Sequence, residues 1–284
     1  MPLILQSLSP LSATDLVAVR TVANASALDL RTDTVAVAEH SNPLTPALRD
    51  ALDDVCGERG IDWAVLPGGR KLSDFRLVAM DMDSTLITIE CIDEIADFCG
   101  LKAEVSAITE AAMRGEITDF NESLRRRVAL LKGLDASVLD RVYAERLRLS
   151  PGAERMLQTI QGLGLKTLLV SGGFVHFTDQ LKPRLNLDFT RANTLEIVDG
   201  KLTGNVVGEI VNADVKARTV REVCAQIGAD PSQAIVMGDG SNDLKMMAVA
   251  GLSVAFRAKP VVRAQASVAF NHVGLDGLLN LFPH

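Results

Sequence analysis

The chain has 284 residues, 48% apolar and 23% charged, with a formal net charge of −7. That is the balance of a globular protein with enough material for one large domain and a small one. The acidic balance, without an extended Lys/Arg face, argues against a nucleic-acid partner, and no apolar run reaches the ~18 residues a membrane span requires.

Residues 1 to 70 read as a small α+β unit. Leu3 to Leu8 is a strand, and Ser12-Ala13-Thr14-Asp15 opens a helix reaching about Ala25. Leu28 to Arg31 and Thr34 to Glu39 pair across a turn at Thr32-Asp33. A helix over Thr45 to Glu58 ends at Gly60, and Trp63 to Leu66 is a last strand. The order βαββαβ is that of a ferredoxin-like module. Pro67 to Lys71 reads as a linker.

From Phe75 the units lengthen. Strand Leu77 to Met80 precedes a helical stretch over about 91–148 without a strand. Ser150-Pro151 fits the N-cap and first turn of the next helix, which stops near Gly162 to Gly164. Strand Thr167 to Val170 runs into Ser171-Gly172-Gly173. Leu195 to Val198 and Asn205 to Ile210 form a hairpin turning at Asp199-Gly200. A helix over Lys216 to Ile227 leads to strand Ala234 to Met237, which runs into Gly238-Asp239-Gly240-Ser241-Asn242-Asp243. Leu252 to Ala255 and Ser267 to Phe270 are short closing strands. The expected class is α/β, a Rossmann-like parallel sheet with a helical cap inserted after its first strand. Cys56, Cys91, Cys99 and Cys224 show no metal-ligand spacing and read as small hydrophobes with reduced thiols. Met1 to Gln6 lacks the basic start of a secretory signal, and the expected compartment is cytoplasmic.

Three strands thus end in polar, Gly-flanked clusters, and parallel strands place those ends on one edge. In Val78-Ala79-Met80-Asp81-Met82-Asp83-Ser84-Thr85, an apolar strand runs straight into two carboxylates one residue apart. Like charges that close repel, and burying each is costly unless a cation or proton compensates. Mg2+ resolves the conflict, with Asp81 and Asp239 as oxygen ligands and position 83 adding another oxygen. A carboxylate left free to attack phosphorus gives an acyl phosphate, and the one two residues on serves as acid and base. Ser171, with the backbone N–H groups of Gly172 and Gly173, suits phosphoryl oxygens. Lys216 is the natural cation to offset three acidic groups.

Asp81-Met-Asp-Ser-Thr, Ser171-Gly-Gly, Lys216 and Gly238-Asp-Gly-Ser-Asn-Asp resemble, in order, the four motifs of the haloacid dehalogenase superfamily. The resemblance covers about residues 75 to 284. It extends through Glu90-Cys-Ile-Asp-Glu-Ile, Phe120-Asn-Glu-Ser-Leu-Arg-Arg-Arg-Val and Lys201-Leu-Thr-Gly to members that hydrolyse O-phospho-L-serine, the last step of serine biosynthesis. It implies Asp81 as nucleophile and Asp83 as general acid/base, with Mg2+ on Asp81, Asp83 (by its carbonyl) and Asp239. It also implies Ser171, Lys216 and Asn242 on the phosphate, and Glu90 and Arg127 on serine's amine and carboxylate. Residues 1 to 70 resemble an ACT domain only loosely. Two roles stay open for them, binding serine or joining two copies into a homodimer. The catalytic domain is then 71–284.

The helix Asp119 to Lys132 bears on substrate choice. Asp119 with Glu122 resembles a capping box, and Phe120, Leu124, Val128 and Leu131 form one stripe. Arg127 falls inside that stripe, whereas Arg125 and Arg126 point away. A carboxylate on a small substrate, held bidentately, is one partner for it, and a structural Glu is the other reading. Met113 and Phe120 are candidate apolar walls. Another small phosphomonoester such as phosphohomoserine suits the same chemistry, and an amino-acid-sensing or assembly module is the reading from a different class.

Overall fold

The computed structural model describes residues 2–25, 27–39, 44–66, 70–113 and 116–282, without the side chains of residues 112 and 113. The wall expected of Met113 and the first three residues of the expected linker, 67–69, lie outside the described residues. Strands β1 Pro2–Ser7, β2 Asp29–Thr32, β3 Val35–Glu39 and β4 Ile61–Val65 form an antiparallel sheet in the order β2-β3-β1-β4. Helices Ala13–Ala23 and Pro46–Gly57 complete the βαββαβ pattern. Ser12 caps the first with a full capping box through Asp15, and Thr45 caps the second ahead of its proline.

The large sheet is built from β5 Leu77–Met80, β6 Lys166–Phe174, β7 Phe189–Val198, β8 Lys201–Val207, β9 Ala234–Gly238, β10 Leu252–Phe256 and β11 Val268–Phe270. Its order is β11-β10-β9-β5-β6-β7-β8, and only the β7–β8 pair is antiparallel. Burial on both faces explains why Leu77 to Met80 is uniformly apolar rather than alternating. Leu77 and Ala79 pack with Val215, Val220 and Val223 of helix Ala213–Gln226, and Val78 and Met80 pack on the opposite side with Met156 and Ile160 of helix Ala153–Gly162. The chain leaves β5 toward β6 on one side and returns later as β9 on the other. β5 is therefore the point where strand order switches, and the crevice beyond it is where such sheets hold ligands.

Helices Cys91–Phe98, Lys102–Met113, Phe120–Ala129 and Ser137–Arg141 fill the insertion between β5 and β6. Three local expectations are corrected. The helix after Ser150-Pro151 begins at Ala153, N-capped by Gly152 in the left-handed region, where a Cβ would run into Asp276. Glu122 does not close a capping box on Asp119; it pairs with Arg126 one turn on, and Asp119 alone accepts from the Asn121 N–H. The 119–132 helix stops at Ala129, and Gly133 donates to Leu202 of β8. The cysteines form no disulfide, and Cys56, Cys91 and Cys224 are buried.

The small sheet is held between its own helices and the large core. Leu3 and Leu5 face Val19, Leu52 and Cys56, while Ile4, Val35 and Ala64 join the cluster containing Phe270, Val273 and Leu278. Asp62, 1% exposed, accepts the consecutive backbone N–H groups of Asn271, His272 and Val273 at 2.8, 2.9 and 2.9 Å. Gln6 accepts from Asn280, and Arg70 donates to the carbonyls of Gly251 and Ser232. Among the described residues, no helix is long and apolar enough to cross a membrane.

Candidate active site

Register brings the polar strand ends together. Met80 of β5 aligns with Leu169 of β6 and Met237 of β9, so Asp81, Ser171 and Asp239 lie one or two residues beyond a common level. After Asp81 the chain turns sharply through Met82–Leu86, with Ser84 left-handed at φ 55°. The turn is secured by Ser84 N–H to the Ile89 carbonyl (3.2 Å) and Leu86 N–H to the Asp81 carbonyl (3.3 Å). Ser84 Oγ donates to Glu90 Oε1 at 2.6 Å, tying the next helix's N-cap residue to this turn.

Lys216 is the electrostatic pivot. Its side chain is fully buried, with Nζ 2.8 Å from Asp81 Oδ2 and 2.8 Å from Asp243 Oδ1. Burial alone would push its ammonium down, but Asp243 and Asp81 outweigh that and hold it above the usual lysine range. It lies in the first turn of a helix capped by Asn212, whose side chain accepts from Asp214 and Val215. Asp243, fully buried, also accepts the Gly240 N–H at 3.1 Å. Asp243 stands within the Gly238 motif, but nothing local in the sequence marks its role, because its partner Lys216 is 27 residues away.

The carboxylates are crowded beyond what one lysine balances. Asp81 is raised well above the usual range, by burial first and then by Asp243, with Lys216 pulling it back. Burial and then Asp243 push Asp239 up to about 7. Burial and then Glu90 push Asp83 up to about 8, and its Oδ1 is buried without a hydrogen-bond partner. Carboxylate oxygens of Asp81, Asp239 and Asp243 lie within 4.8 Å of one another. An all-oxygen donor set with excess negative charge fits a hard divalent cation. The Asp83 carboxyl is not part of that cluster.

Ser171, 1% exposed, accepts the Gly173 N–H on its Oγ at 2.8 Å, which leaves its own hydroxyl hydrogen free to donate. Of the two glycine N–H groups expected on the phosphate, that of Gly173 is thus already used. A Cβ on Gly173 would sit 2.8 Å from Met82 Cε and 3.0 Å from Asp83 Oδ2, so a larger residue would press on the acid/base candidate. Asn193, unnoticed in the sequence, holds this loop: its Nδ2 donates to the Gly172 carbonyl (2.7 Å) and its Oδ1 accepts from Val211 (2.8 Å). Its partners lie 21 and 18 residues away, so no local pattern announces it.

These residues open onto a cavity of about 670 Å³ whose lining includes Asp81, Asp83, Glu90, Arg127, Ser171, Gly172, Asp239 and Asn242. Lys216 stands behind Asp81 rather than on the surface. The cap helix behaves as its stripe implies: Leu124, Val128 and Leu131 are buried, Arg125 and Arg126 exposed, and Arg127 half-buried. Burial lowers the Arg127 pKa, while Asp93, Glu90 and Asp83 oppose the shift. Phe120 reaches across to Gly172, where a Cβ would lie 3.2 Å from its ring. Asn121 on the same helix accepts from the Asn212 Nδ2 at 3.1 Å, a direct polar contact between insertion and core.

A family model described as haloacid dehalogenase-like hydrolase matches residues 75–251, and the chain belongs to that family. A second model, a domain of unknown function, matches residues 3–52. The chain is 60% identical over 215 residues to a phosphoserine phosphatase of Polaromonas sp. (strain JS666), covering 74% of this chain and 91% of that protein. Among solved structures it resembles a probable phosphoserine phosphatase from Vibrio cholerae at 37% identity and TM-score 0.83, covering 99% of this chain and 85% of the other. It also resembles a HAD family hydrolase from Salmonella enterica serovar Typhi at 34% identity and TM-score 0.89, covering 99% and 98%.

Proposed function

We propose that the protein hydrolyses O-phospho-L-serine to L-serine and phosphate, with Mg2+ as its metal. The carrying observation is one cavity that joins a phosphoryl-transfer end, Asp81 on buried Lys216, to an end carrying Glu90 and Arg127. A zwitterionic amino acid is matched by that second pair: the guanidinium for a carboxylate, the carboxylate for an ammonium. The relatives named as phosphoserine phosphatases support the same substrate.

In this reading an Asp81 oxygen attacks phosphorus, forming an acyl phosphate as the bond from phosphorus to the serine oxygen breaks. Asp83, high enough in pKa to carry a proton near neutrality, gives that proton to the departing serine oxygen. It then takes a proton from the water that attacks the phosphoenzyme, and phosphate leaves with Asp81 restored. Lys216 favours the ionised form of Asp81 that attack requires, to be completed by the metal when bound, and Ser171, the Gly172 N–H and Asn242 hold phosphoryl oxygens. Mg2+ on Asp81, Asp239 and the Asp83 carbonyl would supply charge neutralisation at the phosphoryl group when bound. The catalytic unit in this reading is 71–284, with residues 1–70 docked on it through Asp62 and Ile4.

The test is phosphate release from phosphoserine, with phosphohomoserine and p-nitrophenyl phosphate in the same panel, with and without EDTA. Phosphoserine is expected to give the largest kcat/KM, abolished by EDTA and restored by Mg2+. Turnover that survives EDTA removes the metal, and a larger value for phosphohomoserine moves the substrate.

A further inference from the structure

The cavity is strongly acidic for a site that must admit an anion. Six carboxylates line it against two cations, Arg127 and Lys259. The third nearby cation, Lys216, is locked between Asp81 and Asp243. Arg127 sits in the field of Asp93 and Glu90. Lys259 differs from both. It is exposed, and among the described residues its ammonium makes no ion pair and no side-chain hydrogen bond.

Its backbone, by contrast, is fixed. Lys259 follows β10 as the N-cap of the short helix Pro260–Arg263, between buried Ala258 and Val262. Its N–H donates to the carbonyl of Asp239 at 3.3 Å, which seats it beside the strand end that carries the metal-ligand candidate. From there the side chain reaches the cavity wall. The carboxyls of Glu90 and Asp239 are raised chiefly by desolvation, and the charge of Lys259 opposes the rise in both. It is therefore an exposed cation on an anchored backbone, lining the cavity beside the strand end that carries Asp239.

We propose that Lys259 is a substrate-capture residue, its free ammonium drawing the phosphate dianion past the acidic rim onto the Asp81–Ser171 floor. The inference rests on the reading of the site as one for phosphomonoesters. It assigns to Lys259 a role distinct from that of Arg127. Lys259 answers to the charge of the phosphate and so serves any phosphomonoester, whereas Arg127 answers to the carboxylate of the amino acid. Because the interaction is made at a solvated rim, ionic strength must weaken it.

The experiment compares Lys259→Met, Lys259→Arg and the unchanged protein on phosphoserine and p-nitrophenyl phosphate, at salt of ~10 mM and ~500 mM. Lys259→Met is expected to lower kcat/KM on both substrates ~10-fold at low salt, through KM, with the gap closing to ~2-fold at high salt. Lys259→Arg is expected to restore most of the loss. A loss confined to kcat, equal at both salt levels, or not rescued by arginine overturns the proposal, as does no loss at all. If the unchanged protein hydrolyses p-nitrophenyl phosphate but not phosphoserine, the substrate reading falls. Lys259 is then still decided on the former.

Discussion

The two ends of the cavity are built on opposite principles. At the sheet end, Asp81, Lys216 and Asp243 are buried, and the lysine ammonium stands 2.8 Å from an oxygen of each carboxylate. At the cap end, Glu90 is exposed, Arg127 is half-buried, and Lys259 has no ion pair among the described residues. The difference follows from the work each end does. Phosphoryl transfer gains from charges whose positions are fixed before the reaction starts, since no reorganisation is then needed. Recognition of a small charged molecule gains from groups that remain hydrated until the ligand displaces the water.

The contrast is tested most severely at Lys216. Replacing it with Met leaves two buried carboxylates facing each other. The expected cost is about 3–5 kcal/mol of stability together with loss of turnover. Urea unfolding of the metal-free protein and single-turnover assays read the two effects separately. A stable variant would mean that the buried end is less rigidly charged than its geometry implies. At the open end, Arg127→Ala is expected to leave folding intact and lower kcat/KM for phosphoserine about 10²-fold, with p-nitrophenyl phosphate nearly unaffected. Equal losses on both substrates would remove its role at the amino acid.

The smallest effect lies beneath the floor, where Asp188 ties β6 to the start of β7. It accepts from Lys166 Nζ (2.7 Å), Thr167 N–H (2.9 Å) and Thr167 Oγ1 (3.0 Å). Partial burial would raise its pKa, but these hydrogen bonds outweigh it and the carboxyl is lowered. A depressed folded-state value means the stabilisation is present above the ordinary value of 3.8 and is lost as pH falls through the folded one. Asp188→Asn is thus expected to cost about 1 kcal/mol near neutral pH and progressively less on acidification below ~4. Chemical denaturation of both proteins across that range measures it, and a cost that is flat with pH would show that the ionised carboxylate contributes nothing.

What could be read from the sequence was whatever the chain writes locally. Apolar strand segments running into Asp81, Ser171 and Asp239 are contiguous patterns, and parallel topology brings these positions to one edge, although β6 itself continues through Ser171 to Phe174. The stripe Phe120, Leu124, Val128, Leu131 likewise carried the orientation of Arg127 at helical spacing. Illegible were the residues whose meaning lies in distant partners: Asn193 for Gly172 and Val211, Asp243 for Lys216, Asp62 for the 271–273 backbone. Ser150-Pro151 misled for the same reason. Its helix starts only after Gly152, a left-handed N-cap packed against the distant Asp276, which no helix-start rule contains.

The contact of Asp62 with three successive main-chain N–H groups has one more implication. A carboxylate that reads backbone amides is indifferent to the side chains that follow them. On the core side, Asn271, His272 and Val273 can therefore be exchanged for almost anything without loosening this contact, proline excepted, because proline alone lacks the donor. On the small-sheet side only the acidic residue will do. This one contact is specified by a single letter on one partner and by none on the other, whereas the rest of the junction, the cluster shared by Ile4 and Val273 and the Gln6–Asn280 hydrogen bond, depends on side chains from both.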